Sequence, residues 1–370
     1  MTYPVETEEI TYKRKKKKGV RKAILSQFEP EEVHHELTGA ACTCPDCHGE
    51  LKEIGACIQR QEDDWNKLGL PITRKEMANW HIKSSQYYFE PLYDLLREKL
   101  LEQSVLHADE TSYKVLESDS QLTYYWTFLS GKHEETGITL YHHDKRRSGL
   151  VVKEFLGDYG GYVHCDMWSA YRQLENAKLV GCWAHVRRKF FDATPKQADK
   201  QSLGLKGLAY CDNLFALEAS WESLRSEERL VKRQTELAPL MDEFFEWCRA
   251  QAVLPGSKLG QAIEYSLKCE ATFKAVLEDG NLVLSNNMAE RSIKSLVIGR
   301  KNWLFSQSFE GAKSTAIILS LLETAKRHGL DSEKYITYLL EKLPNEETLA
   351  KKEVIEVYLP WSKHIQENCK

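Results

Sequence analysis

Val105-Leu106-His107-Ala108-Asp109, Leu122 to Leu129, Gly137 to Tyr141 and Tyr162-Val163-His164-Cys165-Asp166 are short runs of β-branched and aromatic residues, separated by polar turns such as Ser130-Gly131-Lys132. Runs of this length and composition predict strands. Between the third and fourth, Gly149 to Tyr159 predicts a helix with Leu150, Val151, Phe155 and Leu156 on one face, broken by Gly160-Gly161. A fifth strand is expected at Leu179-Val180-Gly181-Cys182-Trp183, running into a helix from Ala184 to Ala193. Three strands, a helix, a strand, a short helix and another strand make a mixed α/β sheet.

Outward from this block the pattern turns helical. From Ile58 to Gln103, Pro71-Ile72-Thr73 reads as a helix start, and Met77, Trp80, Ile82, Tyr87, Leu92, Leu95, Leu96 and Leu100 recur at roughly helical intervals. On the other side, Pro195 to about Glu278 predicts an almost continuously helical insertion. Ser285-Asn286-Asn287 reads as the cap of a helix from Met288 to Val297. Ala312 to His328 and Ser332 to Leu343 predict two amphipathic helices, ended by Gly329 and Pro344. The expected divisions are a basic arm (1–25), a cysteine-bearing segment resembling part of a zinc ribbon (26–56), a helical segment (57–103), a first part of the core (104–194), the helical insertion (195–280), a second part of the core carrying a Glu helix (281–330) and a C-terminal helical tail (331–370).

With 370 residues, 42% of them hydrophobic, the chain can bury a sizeable core. No stretch approaches the roughly eighteen apolar residues of a membrane-spanning helix. Lysines stand near the start where a secretory signal needs an apolar centre, so a cytoplasmic location is expected. Ten cysteines over this length in a reducing compartment are expected to be mostly free thiols. The net charge of −4 hides an uneven distribution: eight basic residues and no acid lie between Lys13 and Lys22, leaving −12 on the rest. Such an arm is either a phosphate contact or a solvated tail, and charge does not choose between them.

Asp109 closes the first expected strand and Asp166 the fourth, so in neighbouring strands both carboxylates emerge at one edge. Oxygen donors on rigid strands suit Mg²⁺. Two-ion phosphoryl chemistry wants a third carboxylate, and Glu290, on the helix after the insertion, is the candidate. Each has a structural alternative. Asp166 precedes Met167-Trp168-Ser169 and can cap the next helix, Asn287-Met288-Ala289-Glu290 fits the N-x-x-E capping box, and Asp109-Glu110-Thr111 can be a strand-end turn.

Leu106-His107-Ala108-Asp109-Glu110-Thr111, Tyr162 to Tyr171 and Gly181-Cys182-Trp183-Ala184-His185-Val186-Arg187-Arg188-Lys189-Phe190 resemble motifs of bacterial DDE transposases of the insertion-sequence-66 family. So does Asn286-Asn287-Met288-Ala289-Glu290-Arg291-Ser292-Ile293-Lys294, followed by Gly299-Arg300-Lys301-Asn302-Trp303. Four motifs in the same order, over most of the chain from Cys57, carry the resemblance. It implies a ribonuclease H-like mixed-sheet core, whose element order the strands and helices above also follow, interrupted by a helical insertion and flanked by N- and C-terminal helices. It further implies Asp109, Asp166 and Glu290 as a catalytic triad holding a pair of Mg²⁺ (or Mn²⁺) ions. The implied reaction is phosphoryl transfer on DNA: water cuts at the element's end, and the freed 3′-hydroxyl attacks a target phosphodiester. Arg187, Arg188 and Lys189 on one helix, with Arg291, Lys294, Arg300 and Lys301 around Glu290, are the expected phosphate contacts, a solvated helix face being their alternative. Trp168 and Trp303 either stack on bases or belong to the core. The implied partners are element ends, target DNA, further copies of the chain on DNA and accessory proteins of the element.

Cys44-x-x-Cys47 is half of a zinc ribbon, with Cys42 and His48 beside it. Structural zinc takes four ligands, normally from two such pairs, and no second C-x-x-C occurs. Members of the family carry a second pair before the part resembling Cys57 to Trp80, and a coiled coil ahead of the basic run. By that pattern this chain reads as a copy shortened at its N-terminus and deleted near Gly55 to Cys57, in which Cys42, Cys44, Cys47 and His48 bind zinc weakly. The rival functions are another metal-dependent nuclease of the same fold and an inert DNA-binding remnant of a transposase.

Overall fold

The strand-forming runs assemble into one sheet. The computed structural model describes residues 57–197, 199, 201–302 and 305–370, without the side chains of 57–60 and 300–302. Strands β1 (Val105–Tyr113), β2 (Thr123–Ser130), β3 (Thr139–Asp144), β4 (Tyr162–Cys165) and β5 (Lys178–Gly181) lie in the order β3-β2-β1-β4-β5. β2 runs antiparallel to β1 and β3, whereas β4 runs parallel to β1 and β5. Helix α4 (Gly149–Leu156) carries the chain from β3 to β4, and a 3₁₀ turn at Ser169–Gln173 from β4 to β5.

Two local expectations change. β1 continues to Tyr113, and Asp109, Glu110 and Thr111 pair with Thr127, Trp126 and Tyr125 of β2 instead of forming a turn. A full-length antiparallel neighbour overrides the polarity of the segment. Asp109 is therefore mid-strand, just beyond the point where β4 stops pairing with β1 at His107↔His164. In α4 the buried face is Val151, Val152, Phe155 and Leu156, while Leu150 is exposed, and the helix stops at Gly157, whose φ of +58° suits glycine.

Before the sheet come α1 (Cys57–Lys67), α2 (Arg74–Ser84), a π turn at Ser85–Phe89 and α3 (Glu90–Leu101). Thr73 and Glu76 close a reciprocal capping box at the start of α2. Leu92, Leu95, Leu96 and Leu100 of α3 are buried as their spacing suggests, but Trp80 and Tyr87 are exposed. After β5 follow α5 (Trp183–Ala193), then α6 (Leu203–Ser220), α7 (Ser226–Lys232), a π turn at Arg233–Leu237, α8 (Ala238–Ala250), α9 (Lys258–Lys268) and α10 (Glu270–Lys274). The chain returns through a 3₁₀ turn at Ala275–Leu277 into α11 (Asn287–Asn302), and ends with α12 (Phe309–Arg327), α13 (Ser332–Lys342), α14 (Lys352–Glu356) and α15 (Lys363–Asn368). Among the described residues no helix is long and apolar enough to cross a membrane.

The inserted helices share the core of the sheet. Phe244, Phe245 and Phe273 surround Trp183 at the start of α5, with ring centroids 5.3–5.8 Å apart. Wholly buried Arg233 pairs with Glu218 and donates to the carbonyls of Val276 (3.2 Å), Asp279 (2.8 Å) and Leu282 (2.7 Å), fastening the returning segment. Arg233→Ala would leave a partly buried carboxylate and three carbonyls without this partner. It is expected to cost about 3 kcal/mol in urea unfolding of the full chain. A loss below about 1 kcal/mol would show that the segment is held otherwise.

Candidate active site

The parallel register of β1 and β4 leads to the site. Asp109 and Asp166 each lie two residues past the paired His107 and His164. Alternation along β1 turns Asp109 toward the face of the histidines, and Asp166, one residue past the end of β4, lies close enough to act on it electrostatically. Asp166 follows the last residue of β4, and its Oδ1 accepts from the Trp168 N–H (2.9 Å), an Asx-type turn. Met167 inside that turn has φ +67°, a left-handed conformation uncommon outside glycine. Asp166 thus does not cap the 3₁₀ turn at Ser169–Gln173, whose N-cap is Trp168 without a side-chain cap bond; its oxygen closes the turn that precedes it.

Asp109 is held in an unfavourable place for a charge. Its carboxyl is pushed up to about 7, chiefly by burial, with the negative charges of Glu110, Asp166 and Glu290 adding and the Glu110 N–H (2.9 Å) opposing. Glu110 is also buried, and its carboxylate accepts from Arg147 (Nε 3.0 Å, Nη2 2.7 Å) and from the Tyr171 hydroxyl (2.9 Å). Burial raises its proton affinity, and these bonds oppose the rise. The Arg147 guanidinium lies 4.3 Å over the Trp168 ring, which also packs on Trp126 at 6.0 Å. Trp168 is therefore engaged in packing.

Glu290 stands in the first turn of α11. Its carboxylate does not fold back to the Asn287 N–H. It faces α5, with Oε1 3.2 Å from His185 Nε2 and Oε2 3.6 Å from Arg188 Nη2. Burial lowers the proton affinity of His185, while the charges of Glu290 and Asp166 raise it. Cys182, His185 and Glu290 each bring a ligand atom within 4.8 Å of the other two. Asp109, Asp166 and Glu290 are not gathered that tightly: three carboxylates repel one another, and Glu290 is drawn to its cationic side.

Beneath the carboxylates is a buried polar layer. The His107 and His164 rings stack at 4.3 Å and 8°. His107 Nδ1 is 2.8 Å from Asn286 Oδ1, Asn286 Nδ2 donates to the Ala108 carbonyl (2.8 Å), and the Asn286 N–H donates to Cys182 Sγ (3.2 Å). Burial lowers His107 to about 4 and His164 well below its ordinary value, so both rings are neutral. Asn286, which the sequence suggests as part of a helix cap, spends its side chain on β1.

The expected phosphate contacts are placed unequally. Arg187 pairs with Asp212 (2.6 Å), Arg188 faces Glu290, and Lys189 lies 4.7 Å over the Tyr265 ring. Arg291 and Lys294 are exposed on α11. The side chains of Arg300 and Lys301, all of Trp303, the basic arm, and Cys42, Cys44, Cys47 and His48 lie outside the described residues. His185, Glu110, Arg147 and Asn286 escaped the sequence reading as site residues. The one available signal was the Cys182-x-x-His185 spacing, which places two donor side chains at the start of a helix.

The donor set of the two aspartates and Glu290 is carboxylate oxygen, the chemistry of Mg²⁺ and Mn²⁺. Glu290 Oε1 is buried and, although 3.2 Å from His185 Nε2, makes no aligned hydrogen bond, and Asp109 resists ionisation. A bound cation would relieve both, so the residues fit such an ion.

A sequence profile described as Transposase IS66 family matches residues 53–314, and one described as IS66 C-terminal element matches residues 320–361. Uncharacterized protein y4hP of Sinorhizobium fredii (strain NBRC 101917 / NGR234) is 28% identical over 328 residues, 82% of this chain and 58% of its own length. Uncharacterized protein y4qI of the same strain is 27% identical over 335 residues, 83% of this chain and 60% of its own. The chain thus spans about three fifths of the length of these curated relatives. No solved structure matches it. With one profile covering the whole sheet, the insertion and the Glu290 helix, and the second covering most of the segment that follows, the chain belongs to the IS66 family of transposases.

Proposed function

We propose that the chain is a DDE transposase that cuts and joins insertion-sequence ends by metal-dependent phosphoryl transfer, with Asp109, Asp166 and Glu290 as the carboxylate triad of a ribonuclease H-like core. The observation that carries this reading is geometric: the parallel register of β1 and β4 sets Asp109 and Asp166, 57 residues apart in sequence, beside each other, and Asn286, just before α11, bonds His107 and the Ala108 carbonyl and so brings the helix of Glu290, 124 residues beyond Asp166, to the same strand. The sheet order β3-β2-β1-β4-β5, antiparallel on one side of β1 and parallel on the other, supports the core assignment.

Asp109, Asp166 and Glu290 would hold a pair of divalent cations, which when bound would supply charge neutralisation at the scissile phosphate and activation of the attacking oxygen. The protein contributes rigidity and orientation. Asp109 is braced by its pairing with β2, Asp166 by its Asx turn, and Glu290 by the first turn of α11. Arg188, whose side chain is 59% exposed, sits at the rim beside Glu290 and can turn toward a phosphate, while Arg291 and Lys294 extend a basic surface along α11. DNA is the substrate, and its ends are engaged by further copies of the chain.

The test is strand transfer with the purified full chain, Mg²⁺ and a DNA carrying the element's own ends. Mg²⁺-dependent cleavage at those ends and joining through the freed 3′-hydroxyl is the expected result. Cleavage without joining would assign a nuclease instead. Binding without cleavage would assign an inert DNA-binding remnant.

A further inference from the structure

We propose that His107, His164 and Asn286 are positioning residues: a buried layer that sets the spacing of the Asp109, Asp166 and Glu290 carboxylates. The inference rests on the triad reading above and deepens it. Each member of the layer precedes one carboxylate by the spacing that keeps two side chains on one face. His107 and His164, paired on adjacent parallel strands, stand two residues before Asp109 on β1 and Asp166 just past the end of β4. Asn286, immediately before α11, stands four residues before Glu290, whose N–H donates to the Asn286 carbonyl (3.3 Å).

The three are in mutual contact. The histidine rings stack at 4.3 Å, and Asn286 bridges from α11 to the His107 ring (2.8 Å) and the Ala108 carbonyl (2.8 Å), the residue next to Asp109. The Asn286 backbone N–H also donates to Cys182 Sγ, three residues before His185, which faces Glu290. Val283 N–H to His164 Nε2 (3.5 Å) seats the approach to α11 on β4, and Trp183 N–H to the Leu284 carbonyl (2.8 Å) ties it to the start of α5. The carboxylates thus repeat, one step farther along each element, a set of contacts already made in the core.

The composition of the layer supports a role beyond packing. All three residues are buried, and His107 Nε2 and His164 Nδ1 have no hydrogen-bond partner. An apolar ring at either position would avoid the cost of burying an unpaired polar atom. What an apolar ring at position 107 cannot supply is the donor that Asn286 Oδ1 accepts, and that bond joins the helix of Glu290 to the strand of Asp109.

The experiment compares the full chain with His107→Phe, Asn286→Ala, Glu290→Gln and Leu339→Ala. Two readouts are taken: calorimetric Mn²⁺ binding, and the Mn²⁺ concentration giving half-maximal cleavage of end-bearing DNA. His107→Phe keeps an aromatic ring in the stack but removes the bond to Asn286 and leaves the buried Asn286 Oδ1 unpaired, a smaller change than truncating Asn286, so it is the variant expected to fold where Asn286→Ala does not. Both are expected to weaken Mn²⁺ binding by about tenfold or more and to raise the Mn²⁺ requirement equally, with DNA affinity unchanged. Cleavage should recover toward the parental rate at saturating Mn²⁺. Leu339→Ala, in the core of α13, should lower thermal stability without moving either metal readout. A folded His107→Phe variant with parental Mn²⁺ affinity would overturn the proposal. Parental affinity in Glu290→Gln would instead overturn the triad reading beneath it.

Discussion

Glu290→Gln is expected to reduce DNA cleavage by at least about a hundredfold while leaving DNA affinity unchanged. The amide is nearly isosteric but lacks the charge that holds a divalent cation, and an interaction needed only for chemistry lowers the rate without lowering binding. Phosphate contacts come from arginines and lysines elsewhere. Folding should change little, since the carboxylate's neighbours are His185, whose proton affinity burial lowers, and the half-exposed Arg188, and the amide keeps the shape and an acceptor oxygen. Asp109→Asn and Asp166→Asn should each cost as much, and combining them should cost little more, because ligands of one metal site act as a unit. Single-turnover cleavage of end-bearing DNA measures this. A Glu290→Gln chain that cuts at the parental rate would remove Glu290 from the mechanism.

Asp109→Asn is expected to do the opposite to stability. With its carboxyl raised from 3.8 to about 7, Asp109 binds a proton more tightly folded than unfolded. Above pH 7 both states are ionised, and the folded chain bears the whole cost of the buried charge, roughly 4 kcal/mol at 1.36 kcal/mol per unit. Between pH 7 and 4 the cost shrinks as the folded state keeps its proton, and below about pH 4 it is gone. The asparagine variant, without added divalent metal, should therefore melt several degrees higher than the parent at pH 8, with the gain fading toward pH 4. Scanning calorimetry across that range decides it. Equal melting temperatures at pH 8 would show that Asp109 is not a strained carboxylate. Added Mn²⁺ should narrow the gap at pH 8 by stabilising only the parent.

Both predictions concern residues that are legible without a structure, although their surroundings are not. Asp109 reads as a strand end, yet its pairing with Thr127 on β2 carries the strand four residues further. Polarity resembles a turn signal, but a cross-strand partner decides whether a polar residue stays extended. Glu290 in Asn287-Met288-Ala289-Glu290 fits a capping box, and only the neighbouring α5, with His185 and Arg188, shows where its carboxylate goes. Asn286 reads as a cap for the same reason: a local motif is matched by spacing, but its side chain follows the best partner within reach, here His107, 179 residues away in sequence.

The sequence by itself determined the elements and their order. β-branched and aromatic runs set the five strands, helical spacing set the long insertion and the closing helices, and Gly and Pro set several of their ends. These are preferences of a chain segment for its own conformation, and they need no distant partner. The motif stretches likewise determined which acidic residues to consider, because acids at such positions are chosen by residue type. Tertiary structure alone decided the rest. It set which strand lies beside which, brought His185 to Glu290 and Arg147 to Glu110, turned Trp80 and Tyr87 outward, and buried Arg233 against the carbonyls that lead into α11. Each of these depends on segments far apart in the chain. Its energy comes from burial and from charges that no local window contains, so the raised proton affinity of Asp109 exists only once β1, β4 and α11 have come together.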